Sequence, residues 1–184
     1  MEGCAEFSRR IDPDEGYRIY RVDGPHLEAA LRDAETVLGS DDPRVSRLLN
    51  GVAAALRSLG ELARAKELLE LALESDLRNL GEEHPTVATL RFNLAAVARD
   101  TGDLMRAREL FTRTLAARER SLGADHPATS FTRASLAGML YRLGETGPAR
   151  AETERALWAV ADQSEGSRFR TRVERAAARV LREP

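Results

Sequence analysis

The chain has 184 residues, 42% hydrophobic, 32% charged and 5% aromatic, a length suited to one domain or one short array of repeats. Its 28 basic and 30 acidic side chains leave a formal net charge of −2, which argues against a nucleic-acid binder that works through bulk positive charge. The single cysteine, Cys4, excludes an internal disulfide and an all-cysteine zinc site, and no run reaches the roughly 20 apolar residues that a membrane helix needs.

The first residues, MEGCAEFSRRIDPDEG, carry charges with no apolar segment behind them, so they do not read as a secretory signal. The expectation is a soluble, cytoplasmic protein. Residues 1–24 are expected to be an extended or disordered tail, with Tyr17–Val22 (YRIYRV) the stretch that reads as extended. Every basic residue except Lys66 is arginine. GC-rich codon usage accounts for that bias, but arginine also binds carboxylates and phosphates through a planar fork that lysine lacks.

From residue 25 the chain becomes periodic. Residues 25–42 align with the second half of a repeat, with Leu31 on the column of Leu73. Three marks follow, LGSDDP from Leu38, LGEEHP from Leu80 and LGADHP from Leu122, spaced 42 residues apart. Between them, Gly60, Gly102 and Gly144 superpose, as do Ala65, Ala107 and Ala149, and Ala53, Ala95 and Ala137. Several independent columns at one period signal a repeat architecture. The repeats span 43–84, 85–126 and 127–166.

Each repeat reads as two helices. Pro43, Pro85 and Pro127 occupy the first turn, where a missing N–H costs nothing, and Asp42, His84 and His126 stand at the cap. In the second repeat a helix over about Pro85 to Asp100 carries Val87, Leu90, Leu94 and Ala98 at spacings of three and four. Gly102 ends it, and Asp103 caps the next helix. That helix, about Leu104 to Ser121, turns Ala107, Leu110, Phe111, Leu115 and Leu122 inward. The small Ala65, Ala107 and Ala149 let paired helices approach near their turn. The third repeat decays: Glu152 and Thr153 replace the apolar pair Leu68 and Leu69, and the next mark is lost. Residues 167–184 read as a capping helix with one apolar stripe (Val173, Ala176, Ala177, Val180, Leu181) among six arginines. The fold class is all-α.

The run Asn93–Ala98, Thr101-Gly102-Asp103, Ala107, Leu115 and Leu122–Pro127 resembles the tetratricopeptide repeat, in the 42-residue form found in kinesin light chains and many bacterial proteins. The resemblance covers about Leu27 to Asp162. It implies a right-handed superhelical α-solenoid of antiparallel helix hairpins whose first helices line a concave groove. It also implies an interaction scaffold with a protein or peptide partner, since this fold hosts many partners.

On that implied groove face the first repeat places Arg47, Asn50, Ala54 and Arg57. The second places Thr89, Phe92, Ala96 and Arg99, with Asn93 beside them. The third places Phe131, Ala134, Gly138 and Tyr141, with Arg142 beside them. The small Ala54, Ala96 and Gly138 give an open floor flanked by arginines. The candidate ligand-binding residues are Arg47, Asn50, Arg57, Phe92, Asn93, Arg99, Phe131, Tyr141 and Arg142, suited to a partner segment with acidic groups and an apolar anchor. The bland alternative packs Phe92 and Phe131 between helices and leaves the arginines as a solvated face. Chaperone-tail-binding members of the family clamp a terminal carboxylate with lysines and asparagines; Asn50, Ala54 and Asn93 stand here without a lysine, so that clamp is not matched.

No catalytic constellation, metal-ligand spacing or phosphate-binding glycine motif is present, so the reading is a non-catalytic module with no cofactor, metal, nucleic acid or membrane partner. Self-association as a homodimer through an incomplete array end is a second reading. The alternative function is a small-molecule-binding or catalytic accessory protein of a bacterial biosynthetic or signalling pathway. A pocket would then form near Trp158, with Tyr141, Arg142 and Glu145. Trp158 stands on the column of Glu74 and Ala116; packing against the capping helix is its bland explanation.

Overall fold

The computed structural model describes residues 7–12, 16–21, 29, 31–33, 36–39, 42–161 and 167–181. The chain forms two compact units, Met1–Asn79 and Leu80–Pro184.

The first unit begins with a two-stranded antiparallel hairpin. Strand β1 (Phe7–Asp12) pairs with β2 (Gly16–Arg21), Phe7 opposite Arg21 and Asp12 opposite Gly16. The rest of the proposed tail lies outside the described residues. Residues 29, 31–33 and 36–38 are helical, and Leu31 is buried; the other residues of the half repeat, apart from Gly39 and Asp42, lie outside the described set. Helices α1 (Pro43–Ser58) and α2 (Leu62–Leu80) follow. Val45, Leu49, Val52, Ala53 and Leu56 are buried on α1, and Ala65, Leu68, Leu69 and Ala72 on α2. Each large side chain among them contributes about 1.5–3 kcal/mol when taken from water.

The second unit holds α3 (Pro85–Asp100), α4 (Leu104–Leu122), α5 (Pro127–Arg142), α6 (Thr146–Trp158) and α7 (Arg168–Leu181). Neighbours pack in order from α3 to α6, and α7 lies against both α5 and α6. Ala107 and Ala149 are fully buried, as are Ala95 and Ala137. A methyl group at these positions is what permits close helix approach.

The repeat marks are capping devices. Asp42 accepts the Arg44 N–H, and the Nδ1 atoms of His84 and His126 accept the N–H groups of Thr86 and Ala128 at 3.2 and 3.1 Å. Each satisfies a donor that a helix start leaves without a partner. An Nδ1 that accepts fixes the imidazole proton on Nε2. At the other end, Gly102 adopts φ +86°, and the Asp103 N–H reaches back to Ala98 O at 2.9 Å. This is the left-handed glycine closure that satisfies terminal carbonyls. Gly60 and Gly144 repeat it.

One expectation about α4 needs correction. Leu122, read as part of the inward stripe, is 40% exposed, because it ends α4 where the stripe has turned to solvent. Where the third repeat loses its apolar pair, polar groups pack in its place. Thr153 is buried and donates to Ala149 O at 2.8 Å, while Glu152 stands 3.2 Å from the buried Arg133. Arg133 also pairs with Glu119. α6 is 13 residues long against 19 for α4. The space beside it is filled by Val173 of α7, which joins Ala134, Ala156 and Val160 in one apolar cluster.

Candidate functional site

In the second unit the helix periodicity of α5 turns Phe131, Ala134, Ser135, Gly138, Tyr141 and Arg142 to one side. Arg99 and Asp100 come from the end of α3, and Arg172, Arg175 and Ala176 from α7. Together they line a cleft of about 790 Å³. Its apolar wall is Phe131 and its floor is small: Ala134, Gly138 and Ala176.

The charge in this cleft is one-sided. Four guanidinium groups line it against one carboxylate, Asp100, which is held by Arg99 at 2.9 Å. Arg172 lies over the Phe131 ring, its Cζ 4.0 Å from the centroid, a cation–π contact. Among the described residues, Arg142, Arg172 and Arg175 have no ion-pair partner.

A further cation stands behind this wall. Arg118 of α4 is only 8% exposed. It donates to Thr132 Oγ1 at 2.7 Å and to Ala128 O at 3.2 Å, and lies 5.1 Å from the Phe92 centroid. Among the described residues no carboxylate pairs with it. Burial, and then the positive charge of Arg172, push its guanidinium down to about 10, since both disfavour a charged base.

Of the candidate residues, Arg99, Phe131, Tyr141 and Arg142 line the cleft together. Phe92 does not. Its ring is 5.3 Å from Phe111 and 5.4 Å from Phe131, a packed aromatic wedge between helices. Asn93 is half-buried on α3 and does not line the cleft. Arg47, Asn50 and Arg57 sit on α1 in the first unit, Arg47 exposed and the other two half-buried. The small-residue floor is less open than its sequence suggests: Ala54 is exposed and Gly138 half-buried, but Ala96 is buried.

Sequence reasoning missed Arg172 and Arg175. They lie outside the 42-residue register, on a helix read as a cap. The surplus of arginine on that helix was the available signal.

Trp158 is 75% exposed, so it is not buried against the capping helix. It borders a separate cavity of about 560 Å³ with Ala124, Asp125, Arg133, Glu154 and Arg155. Tyr141 and Arg142 line the other cleft, and Glu145 pairs with Arg108 at 2.7 Å. The pocket drawn from Trp158, Tyr141, Arg142 and Glu145 is therefore not assembled. Among the described residues there is no cluster of three metal-ligating side chains. No described helix is long and apolar enough to cross a membrane.

The tetratricopeptide-repeat family model matches residues 44–117 and 86–157. No curated protein matches the sequence. Among solved structures, the chain resembles a Podosopora anserina protein assigned as a kinesin light chain, with nearly identical TPR-like repeats. The TM-score is 0.71 at 23% identity, over 85% of this chain and 75% of that one. A point variant of that protein gives 0.73 at 23% identity, over 85% and 74%. BtubC (BKLC) from P. vanneervenii matches with a TM-score of 0.71 at 23% identity, over 85% of this chain and 67% of that one. At this identity the likeness concerns the fold, a solenoid of helix hairpins. With the family model spanning most of the helical body and the capped 42-residue hairpins beneath it, the chain belongs to the tetratricopeptide-repeat family.

Proposed function

We propose that the protein is a non-catalytic interaction module that binds a segment of a partner protein in the groove between α3, α5 and α7 of its second unit, with arginines recognising acidic groups. One observation carries the reading: a cleft of about 790 Å³ with a small-residue floor, an aromatic wall and four arginines against one carboxylate. Tetratricopeptide-repeat proteins typically serve as protein-interaction scaffolds, which supports it by analogy. An extended segment suits such a groove because the walls supply side-chain pockets while guanidinium forks fix the charged groups. The test is a peptide array probed with the intact chain and with the Arg99→Glu, Arg142→Glu double variant. Retained segments should be released by the double variant. Equal retention by both proteins contradicts the groove.

A second reading rests on Trp158. Its exposed ring beside a cavity of about 560 Å³ suits a small apolar ligand or a second copy of the chain. Tryptophan fluorescence under a metabolite panel, with light scattering to detect a dimer, tests both. An unchanged spectrum and a 20.3 kDa species at all concentrations remove this reading.

A further inference from the structure

The helix beyond the last repeat does more than cover an apolar end. Its stripe of Val173, Ala177 and Val180 is buried, which accounts for docking on α5 and α6. Docking alone does not require Arg172 and Arg175, both exposed and both facing the cleft. A solvated capping face would pair its cations with neighbouring carboxylates, as Arg170 does with Glu174 at 2.8 Å. Arg172 instead stacks on Phe131 within 4.0 Å, and this orders its fork. The buried Arg118 adds positive potential behind that ring, where low polarity strengthens it. Arg99 and Arg142 line the same cleft.

We infer that Arg172 and Arg175 of α7 are the specificity-determining residues of this cleft, binding the side-chain carboxylates of an acidic partner peptide whose backbone crosses the small floor at Gly138 and Ala176. The inference rests on the interaction-module reading and narrows it to one ligand chemistry and one element. A carboxylate placed between these cations neutralises charge that no carboxylate among the described residues pairs with. A guanidinium fork meets a carboxylate with two parallel hydrogen bonds. The apolar anchor of the peptide would rest on the free part of the Phe131 wall and on Tyr141.

The test uses the full chain with three probes: an amidated oligo-aspartate peptide, its oligo-asparagine counterpart and inorganic phosphate. Titration calorimetry should show binding of the aspartate peptide that weakens as salt is raised, and no comparable binding of the asparagine peptide. The Arg172→Gln, Arg175→Gln double variant should bind roughly tenfold to a hundredfold more weakly, as expected for losing charge-assisted hydrogen bonds. Arg150→Gln, on the exposed face of α6, should bind like the parent. The single variant Arg175→Gln leaves the Phe131 stack in place and should itself bind more weakly, so a docking defect in the double variant does not decide the matter. Equal affinity for both peptides, or unchanged affinity in Arg175→Gln and the double variant, overturns the inference. So does full competition by phosphate at matched concentration, which would mark a single-oxyanion site. If the chain ignores both peptides yet retains other segments on the array, the inference fails and the interaction-module reading stands. If it retains no segment at all, both fail.

Discussion

Arg172 stacks on Phe131 with its Cζ 4.0 Å from the ring centroid, joining the last helix to the first helix of the third repeat. The same ring meets Phe92 at 5.4 Å and borders the apolar cluster of Ala134, Val160 and Val173. Phe131 thus supports both α7 docking and the cleft wall. Phe131→Ala should cost about 2–3 kcal/mol, at the lower end for an aromatic truncation because the ring is only half-buried. Phe131→Leu should cost less, about 1 kcal/mol. Urea denaturation of the three proteins checks the order.

Two buried arginines make opposite predictions. Arg118 has no carboxylate partner among the described residues, and its acceptor Thr132 Oγ1 keeps its own bond to Ala128 O at 2.8 Å. Arg118→Met keeps most of the volume over Phe92 and removes a buried charge, so stability should be unchanged or rise, by up to about 2 kcal/mol. Arg133 is different. It lies between Glu119 and Glu152, and Arg133→Met leaves Glu119 without its cation and Glu152 with Arg155 alone, at a cost of about 1–3 kcal/mol. Thermal unfolding of both variants separates the cases.

The repeat architecture was legible because its signals are local. A positive φ favours glycine at Gly102, a helix start favours a capping acceptor at Asp103, and contact near the turn favours Ala107. Each demand recurs every 42 residues. The lining of the cleft was legible only where it followed that register, at Arg99, Phe131, Tyr141 and Arg142. Arg172 and Arg175 were not legible because their place depends on how α7 docks after the register has ended. The exposure of Trp158 escaped for the same reason: α6 ends there, with no longer second helix to cover the ring. Phe92 sits on the expected inner column, yet neighbouring Phe111 and Phe131 absorb it into packing, which no single helix pattern reveals.

Gly138 lies inside α5 at a helical conformation, and a Cβ built there meets no atom within 4 Å. Gly138→Ala should therefore stabilise the protein by about 0.5–1 kcal/mol through the entropy and helix terms alone. Gly138→Leu would fill the cleft floor, leaving the fold intact while abolishing segment binding. Denaturation and peptide titration on the same two samples check both halves.

Asp42 gives a pH dependence of definite sign. The side chain of Arg44, bonded at 2.8 and 3.0 Å, and its backbone N–H hold the Asp42 carboxyl down to about 2, from an ordinary 3.8. Because the folded value lies below the unfolded one, this contribution to stability is fully present above 3.8 and is lost as pH falls through 2. Asp42→Asn keeps a capping acceptor without the titration. Melting curves across that window should show a smaller loss of stability in the variant than in the parent.

The central claim is that this tetratricopeptide-repeat chain holds an acidic partner segment in the cleft between α3, α5 and α7. Hydrogen exchange with and without the oligo-aspartate peptide tests it most directly. The account predicts slowed exchange at the end of α3 and along α5 and α7, with the amides around Trp158 unchanged. Slowed exchange confined to the surface around Ala124, Glu154 and Trp158, with α5 and α7 unaffected, would contradict it.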